Sequence, residues 1–172
     1  RDSLMDVVKN TRATILIGVS GKPGLFTEDV IHEMVNGCSR PIILPLSNPS
    51  QHAEAHPHDV LEWSNGKAIV ATGSPFKPAK YNGETFEISQ CNNSYVFPGV
   101  GLGVISCNAK LISDEMLMAA SKTLADLSLN SEGQANAILP PLTSLPEISR
   151  KIALVVAKTA IEQELAREMT DN

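Results

Sequence analysis

Apolar residues in this chain follow two patterns, short unbroken runs and longer stretches in which they recur at helical spacing. Thr14-Ile15-Leu16-Ile17-Gly18-Val19, Pro41 to Pro45 and Ala68 to Thr72 are unbroken runs of the kind buried on both faces of a parallel sheet. Between the first two, Thr27 can cap a helix whose first turn carries Glu28 and Asp29 and which Asn36-Gly37 ends. A short helix around Asp59 to Ser64 leads through Asn65-Gly66 to the third run. Upstream, Leu4, Met5, Val7 and Val8 fit the tail of a helix that begins before this sequence. Strand and helix thus alternate, which predicts right-handed crossovers and a mostly parallel, doubly wound α/β sheet. In such sheets ligands collect beyond the carboxyl ends of the strands, where Ser20-Gly21, Asn48 and Gly73 fall.

After Gly73 the pattern changes. Lys80 to Phe86 reads as a hairpin turning on Asn82-Gly83. Pro98 suits the first turn of a helix, and Val100-Gly101-Leu102-Gly103-Val104-Ile105 continues it with small and apolar residues. Ser113, Asp114 and Glu115 open another helix, whose core face is predicted to be Leu117, Ala120, Leu124 and Leu127. Asn130 to Ser144 is polar and contains proline, a surface excursion, and Pro146 starts a last helix carrying Ile148, Ile152, Val155, Val156 and Ala160. With no repeat or low-complexity linker, residues 1–172 read as one domain.

Composition narrows the function classes. A length of 172 residues with 42% hydrophobic content supports one sizeable core. A net charge of -5 and the absence of a Lys/Arg run argue against nucleic acid and anionic membrane as partners. No apolar run reaches bilayer length and the start is charged, so the cytoplasm is the expected location. Cys38, Cys91 and Cys107 are odd in number and far apart, which predicts reduced thiols, Cys91 as a small buried residue.

Candidate chemistry centres on Gln90-Cys91-Asn92-Asn93-Ser94-Tyr95-Val96-Phe97-Pro98-Gly99. Two adjacent carboxamides carry donors and acceptors without charge, and a helix start beside them favours an anionic ligand. The same pair also serves as a turn and cap. Asn48 follows a strand and precedes Pro49, which suits either a ligand contact or an Asn-Pro turn. Ser20-Gly21 is either a close backbone approach to a ligand or a plain connector. The glycines of Gly99-Val100-Gly101-Leu102-Gly103 lack the preceding strand and spacing of a dinucleotide fingerprint and read as close helix packing. His52 and His56 would share a helix face, but with Pro57 between His56 and His58 no third metal ligand is well spaced. Glu162, Glu164 and Glu168 read as a solvated helix face, and Lys22 as an exposed loop lysine.

The asparagine stretch resembles the malic enzyme family, as do Ile17-Gly18-Val19-Ser20-Gly21, Pro45-Leu46-Ser47-Asn48-Pro49 and Ala71-Thr72-Gly73-Ser74-Pro75-Phe76, in the family's order. The resemblance covers almost the whole chain and looks closest to the bacterial NAD-linked type. It implies the C-terminal part of a Rossmann-like NAD-binding domain. It further implies that Asn48 and Asn93 hold malate, that Asn92 lies against malate or the nicotinamide, and that Asn48, Asn92, Val19, Ser20 and Gly21 line the cofactor. The implied reaction oxidises malate with NAD, or NADP, and decarboxylates it to pyruvate with Mg or Mn. The family's proton-transfer residues, metal ligands and Gly-rich turn have no match here, so no catalytic residue is assigned. This chain is accordingly expected to need the N-terminal part of the same enzyme, to be inactive alone and to work in a homo-dimer or tetramer. Two further readings stand beside this one: another nicotinamide-dependent dehydrogenase sharing the sheet, and a non-catalytic interaction domain.

Overall fold

A computed structural model describes residues 3–129 and 137–167. Two compact units divide the chain, Arg1–Cys91 with Glu132–Ile138, and Asn92–Ser131 with Leu139–Asn172.

In the first unit the elements run α1 (Leu4–Thr11), β1 (Ile15–Gly18), α2 (Glu28–Gly37), β2 (Ile42–Pro45), α3 (Pro57–Trp63), β3 (Ile69–Thr72), β4 (Ala79–Tyr81), β5 (Glu84–Phe86) and β6 (Ser89–Gln90). The sheet order is β1-β2-β3-β6 and every pairing in it is parallel, with Ile15 opposite Ile42, Ile42 opposite Ile69 and Ala71 opposite Ser89. This is the Rossmann-like sheet with flanking helices that the alternation predicts. The hairpin β4–β5 turns where expected, with Asn82 and Gly83 both at positive φ, as its two-residue connection requires. Thr27 caps α2 by accepting from Val30 N at 3.5 Å. α1 does not depend on an upstream turn. Ser3 Oγ accepts from Asp6 N at 3.1 Å and Asp6 accepts from Ser3 N at 2.9 Å, a reciprocal cap that starts the helix at its own first residue.

One expectation fails at β1. Leu16, Ile43 and Val70 join Val8, Val30, Ile31, Met34, Val60 and Leu61 in one core, so the helices of this unit cover a single face of the sheet. Ile15 and Ile17 point the other way and are 51% and 58% exposed. An unbroken apolar run implied burial on both faces. Edge position and one-sided cover explain why only alternate residues of β1 are buried.

The second unit packs α4 (Phe97–Ser106), α5 (Asp114–Leu129) and α6 (Leu145–Glu162) around Tyr95, Val100, Met116, Ala120, Ile148, Ile152 and Val156. Its core face on α5 is rotated from the predicted one: Met116 is fully buried and Leu117 is exposed, although Ala120, Leu124 and Leu127 do face the core. The glycines of α4 act as read. A Cβ on Gly99 would lie 2.7 Å from Ile152, and one on Gly103 would lie 2.7 Å from the Ala153 carbonyl, so the backbone of α4 rests directly on α6. Gly103→Val is therefore expected to cost about 1–3 kcal/mol by overpacking, seen as a lower denaturation midpoint. An unshifted midpoint would contradict the contact. The predicted acidic face ends early, because α6 stops at Glu162 and Glu164 lies beyond it at positive φ; Glu168 falls outside the described residues. So does the first part of the Asn130 to Ser144 excursion, residues 130–136; of its remainder, Pro140 is buried and its carbonyl accepts from the Tyr95 hydroxyl.

Candidate functional site

Parallel strands bring the segments after β1, β2 and β3 to one edge of the sheet, and hydrogen bonds lock them together there. The hub is Glu54, a carboxylate that has no exposure to solvent. Its Oε1 accepts from Ser20 N at 2.7 Å, Ser20 Oγ at 2.8 Å and Ser47 Oγ at 2.5 Å, and its Oε2 accepts from Ser47 N at 3.4 Å. The Ser47 hydroxyl in turn accepts from Gly21 N at 2.8 Å, and Ser20 Oγ accepts from Lys22 N at 3.1 Å. Gly18 makes room for this hub, since a Cβ there would stand 2.5 Å from the Glu54 carboxyl carbon. Val19, next in the chain, is 78% exposed.

Burial pushes the pKa of Glu54 up, but hydrogen bonds from Ser47 and Ser20 outweigh it and hold the group below its ordinary 4.5. A depressed carboxylate stabilises the fold fully above the unfolded value of 4.5, and that contribution disappears as pH falls through the lower folded value. Glu54→Gln is therefore expected to flatten the acid limb of a stability-against-pH profile below that point. Parallel acid limbs in variant and wild type would contradict the ionised hub.

Asn48 lies on the same edge. Its Oδ1 accepts from Ser74 Oγ at 2.5 Å, which leaves the N–H pair as the group it can offer a ligand. The Asn48–Pro49 peptide is cis. Gly73 brings the third segment in, because a Cβ there would sit 2.0 Å from the Leu46 carbonyl oxygen and 3.0 Å from Asn48 Oδ1. Gln90 Nε2 donates to the Gly73 carbonyl at 3.3 Å, and Cys91 N donates to the Thr72 carbonyl at 2.8 Å, extending the edge to β6. Apart from Glu54, which is saturated with donors, the side chains that build this edge are uncharged.

In the second unit Asn92 and Asn93 are both exposed. The cap reading holds for Asn92, whose Oδ1 accepts from Ser94 N at 3.0 Å at the head of a 3-10 turn, Asn93–Tyr95. That turn intervenes before α4, which begins at Phe97 with Val96 as its N-cap, so the asparagines do not themselves cap the helix. The structure thus gathers Ser20, Gly21 and Asn48 on one edge of the first unit, while Asn92 and Asn93 open the second.

Other candidates resolve differently. His52 sits in a 3-10 turn with Nδ1 3.2 Å from the Gly21 carbonyl, whereas His56 caps α3, so the two do not share a helix face. The non-helical Ala53–Ala55 step breaks the helix that the spacing assumed. No group of three His, Cys, Asp or Glu able to hold a metal occurs among the described residues. All three cysteines are free thiols; Cys91 is half-buried rather than the buried residue expected, and that burial raises its pKa. Sequence reasoning missed Glu54, Ser47 and Ser74. A lone Glu between Ala53 and Ala55 shows no periodicity, and only the small residues at Gly18 and Ser47 hinted that something else fills that space.

Comparison with known proteins places this geometry among relatives. Residues 1–161 match the family model "Malic enzyme, NAD binding domain". The chain is 58% identical over 172 residues to an NAD-dependent malic enzyme of Shewanella woodyi, a match covering 98% of this chain and 30% of that protein. It therefore spans about 30% of the length of the curated relatives it matches. Among solved structures it is similar to the malic enzyme of Entamoeba histolytica, with TM-score 0.79 and 31% identity over 100% of this chain and 31% of that one. It is also similar to the malic enzyme of Pyrococcus horikoshii, with TM-score 0.73 and 27% identity over 98% of this chain and 34% of that one.

Proposed function

Because the chain belongs to the malic enzyme family and matches its NAD binding domain, we propose that it forms part of an enzyme that oxidises and decarboxylates (S)-malate to pyruvate and CO2 with NAD. Asn48 and Asn93 hold malate, Asn92 lies against malate or the nicotinamide, and Val19, Ser20, Gly21 and Asn48 line the cofactor. NAD, when held there, would supply the acceptor for the hydride of the malate alcohol carbon. The chain's own task is to bind and orient. Neutral amides can grip carboxylates without opposing the charge that shifts as hydride and CO2 leave. A divalent Mg or Mn ion is assigned to residues elsewhere in the enzyme.

The observation that carries the reading is the polarity of the strand-end edge. Asn48 presents N–H donors while its oxygen is occupied by Ser74, the arrangement a carboxylate ligand needs. The rest of the enzyme is read as covering Ile15 and Ile17, an apolar pair exposed on the edge strand. A cytoplasmic dimer or tetramer completes the proposal; no helix among the described residues is long and apolar enough to cross a membrane.

Steady-state assay of the intact protein tests it. Malate with NAD is expected to give NADH and pyruvate in equal amounts. NADH formed only from a different hydroxy acid would favour another dehydrogenase, and no NAD binding in a calorimetric titration would favour an interaction domain.

A further inference from the structure

Resting on that reading, we propose that Glu54 and Ser47 are positioning residues for the cofactor, holding the Ser20–Gly21 turn in the one conformation that accepts its uncharged end. Neither residue is in the turn. Glu54 stands between the Ser50–His52 turn and α3, and reaches back to the segment after β1. Its own carbonyl accepts from Phe26 N at 3.1 Å, which ties down the chain beyond the turn as well.

A buried carboxylate is a poor choice for stability alone. Desolvating it is costly, and a well-packed apolar side chain in its place is commonly neutral or better. What a carboxylate does that Leu cannot is accept several donors at one point. The donors it collects come from two strand-end loops, the proposed cofactor turn and the proposed malate loop. Gly18 is the matching concession, a strand residue without the Cβ that would strike the carboxyl group.

The direction of these bonds carries a second consequence. Three consecutive amides, those of Ser20, Gly21 and Lys22, are committed to Glu54 Oε1, Ser47 Oγ and Ser20 Oγ. Phosphate cradles work by pointing such amides at the ligand. Here they point inward, and a buried negative charge lies beneath them. The turn therefore rejects the pyrophosphate and is fitted to the ribose and nicotinamide end.

In the intact enzyme, Ser47→Ala cuts the link from Gly21 to Glu54 while leaving three of the four bonds to the carboxylate oxygens. Glu54→Gln keeps Oε1 as acceptor but sets an NH2 group toward Ser47 N. Each is expected to raise the KM and the calorimetric Kd for NAD about tenfold, a loss of about 1.4 kcal/mol of binding. The effect should fall on NAD KM more than on kcat. Thermal unfolding of the same samples supplies the structural readout, and if Glu54→Gln fails to fold, Ser47→Ala decides alone. A lowered melting temperature with unaltered NAD KM and Kd would overturn the proposal and leave a structural role. Asn93→Ala, assayed in parallel, separates the two levels: weakened malate use there with normal NAD binding in the Ser47 and Glu54 variants sinks only the positioning role. A wild-type enzyme that makes no NADH from malate sinks the functional reading, and this inference with it.

Discussion

Replacing Asn93 with alanine in the intact enzyme is expected to lower kcat/KM for malate by about a hundredfold, equivalent to ~2.7 kcal/mol of transition-state stabilisation. The expectation follows from its setting. Asn92 spends its oxygen on the turn, whereas the exposed Asn93 uses its backbone carbonyl to accept from Val96 N at 3.1 Å, leaving its carboxamide for a ligand. In the proposed site, loss of one donor to a carboxylate removes a charge-assisted hydrogen bond and leaves a ligand oxygen without it. Asn93→Asp keeps the shape but opposes malate's own charge, so it should be no better than alanine. Glu164→Ala, an exposed change beyond the end of α6, should leave the rate as it is. Equal and negligible effects of Asn93→Ala and Glu164→Ala in steady-state assays would remove Asn93 from the ligand set.

Gly73→Ala is expected to impair malate use as well, by a different route. Its Cβ would sit 2.0 Å from the Leu46 carbonyl oxygen, and backbone at the end of a paired strand cannot yield as a flexible side chain would. The segments after β2 and β3 must separate, which breaks the Ser74 to Asn48 bond that orients the proposed malate amide. A stability loss of about 1–3 kcal/mol should accompany at least a tenfold rise in malate KM. Urea denaturation and saturation kinetics on one preparation read both. Wild-type stability together with wild-type KM would show that the two segments need not touch.

Much of this is legible in the sequence, for identifiable reasons. The runs around Leu16, Ile43 and Val70, the Thr27 cap and the Asn82-Gly83 turn are local signals, each set by residues a few positions apart, and the structure reproduces them. The gathering of Ser20, Asn48 and Gly73 on one edge also follows from strand direction alone. Glu54 was invisible because its meaning lies in partners distant along the chain, reaching back as far as Ser20. Ile15 and Ile17 misled because an apolar residue reports the wish to be covered, and the helices of this unit cover the opposite face. Met116 displaced Leu117 from the core for a related reason: both fit a helical spacing, and only packing against α6 decides the phase. The His52 and His56 pairing assumed one continuous helix, which the non-helical chain at Ala53 interrupts.

The most direct measurement is a crystal structure of the intact enzyme soaked with NAD and a non-reacting dicarboxylate analogue of malate. The account predicts analogue carboxylate oxygens within about 3.2 Å of the Asn48 and Asn93 Nδ2 atoms, with the nicotinamide ribose against Ser20 and Gly21. An analogue bound elsewhere, with both amides left in solvent, would contradict it.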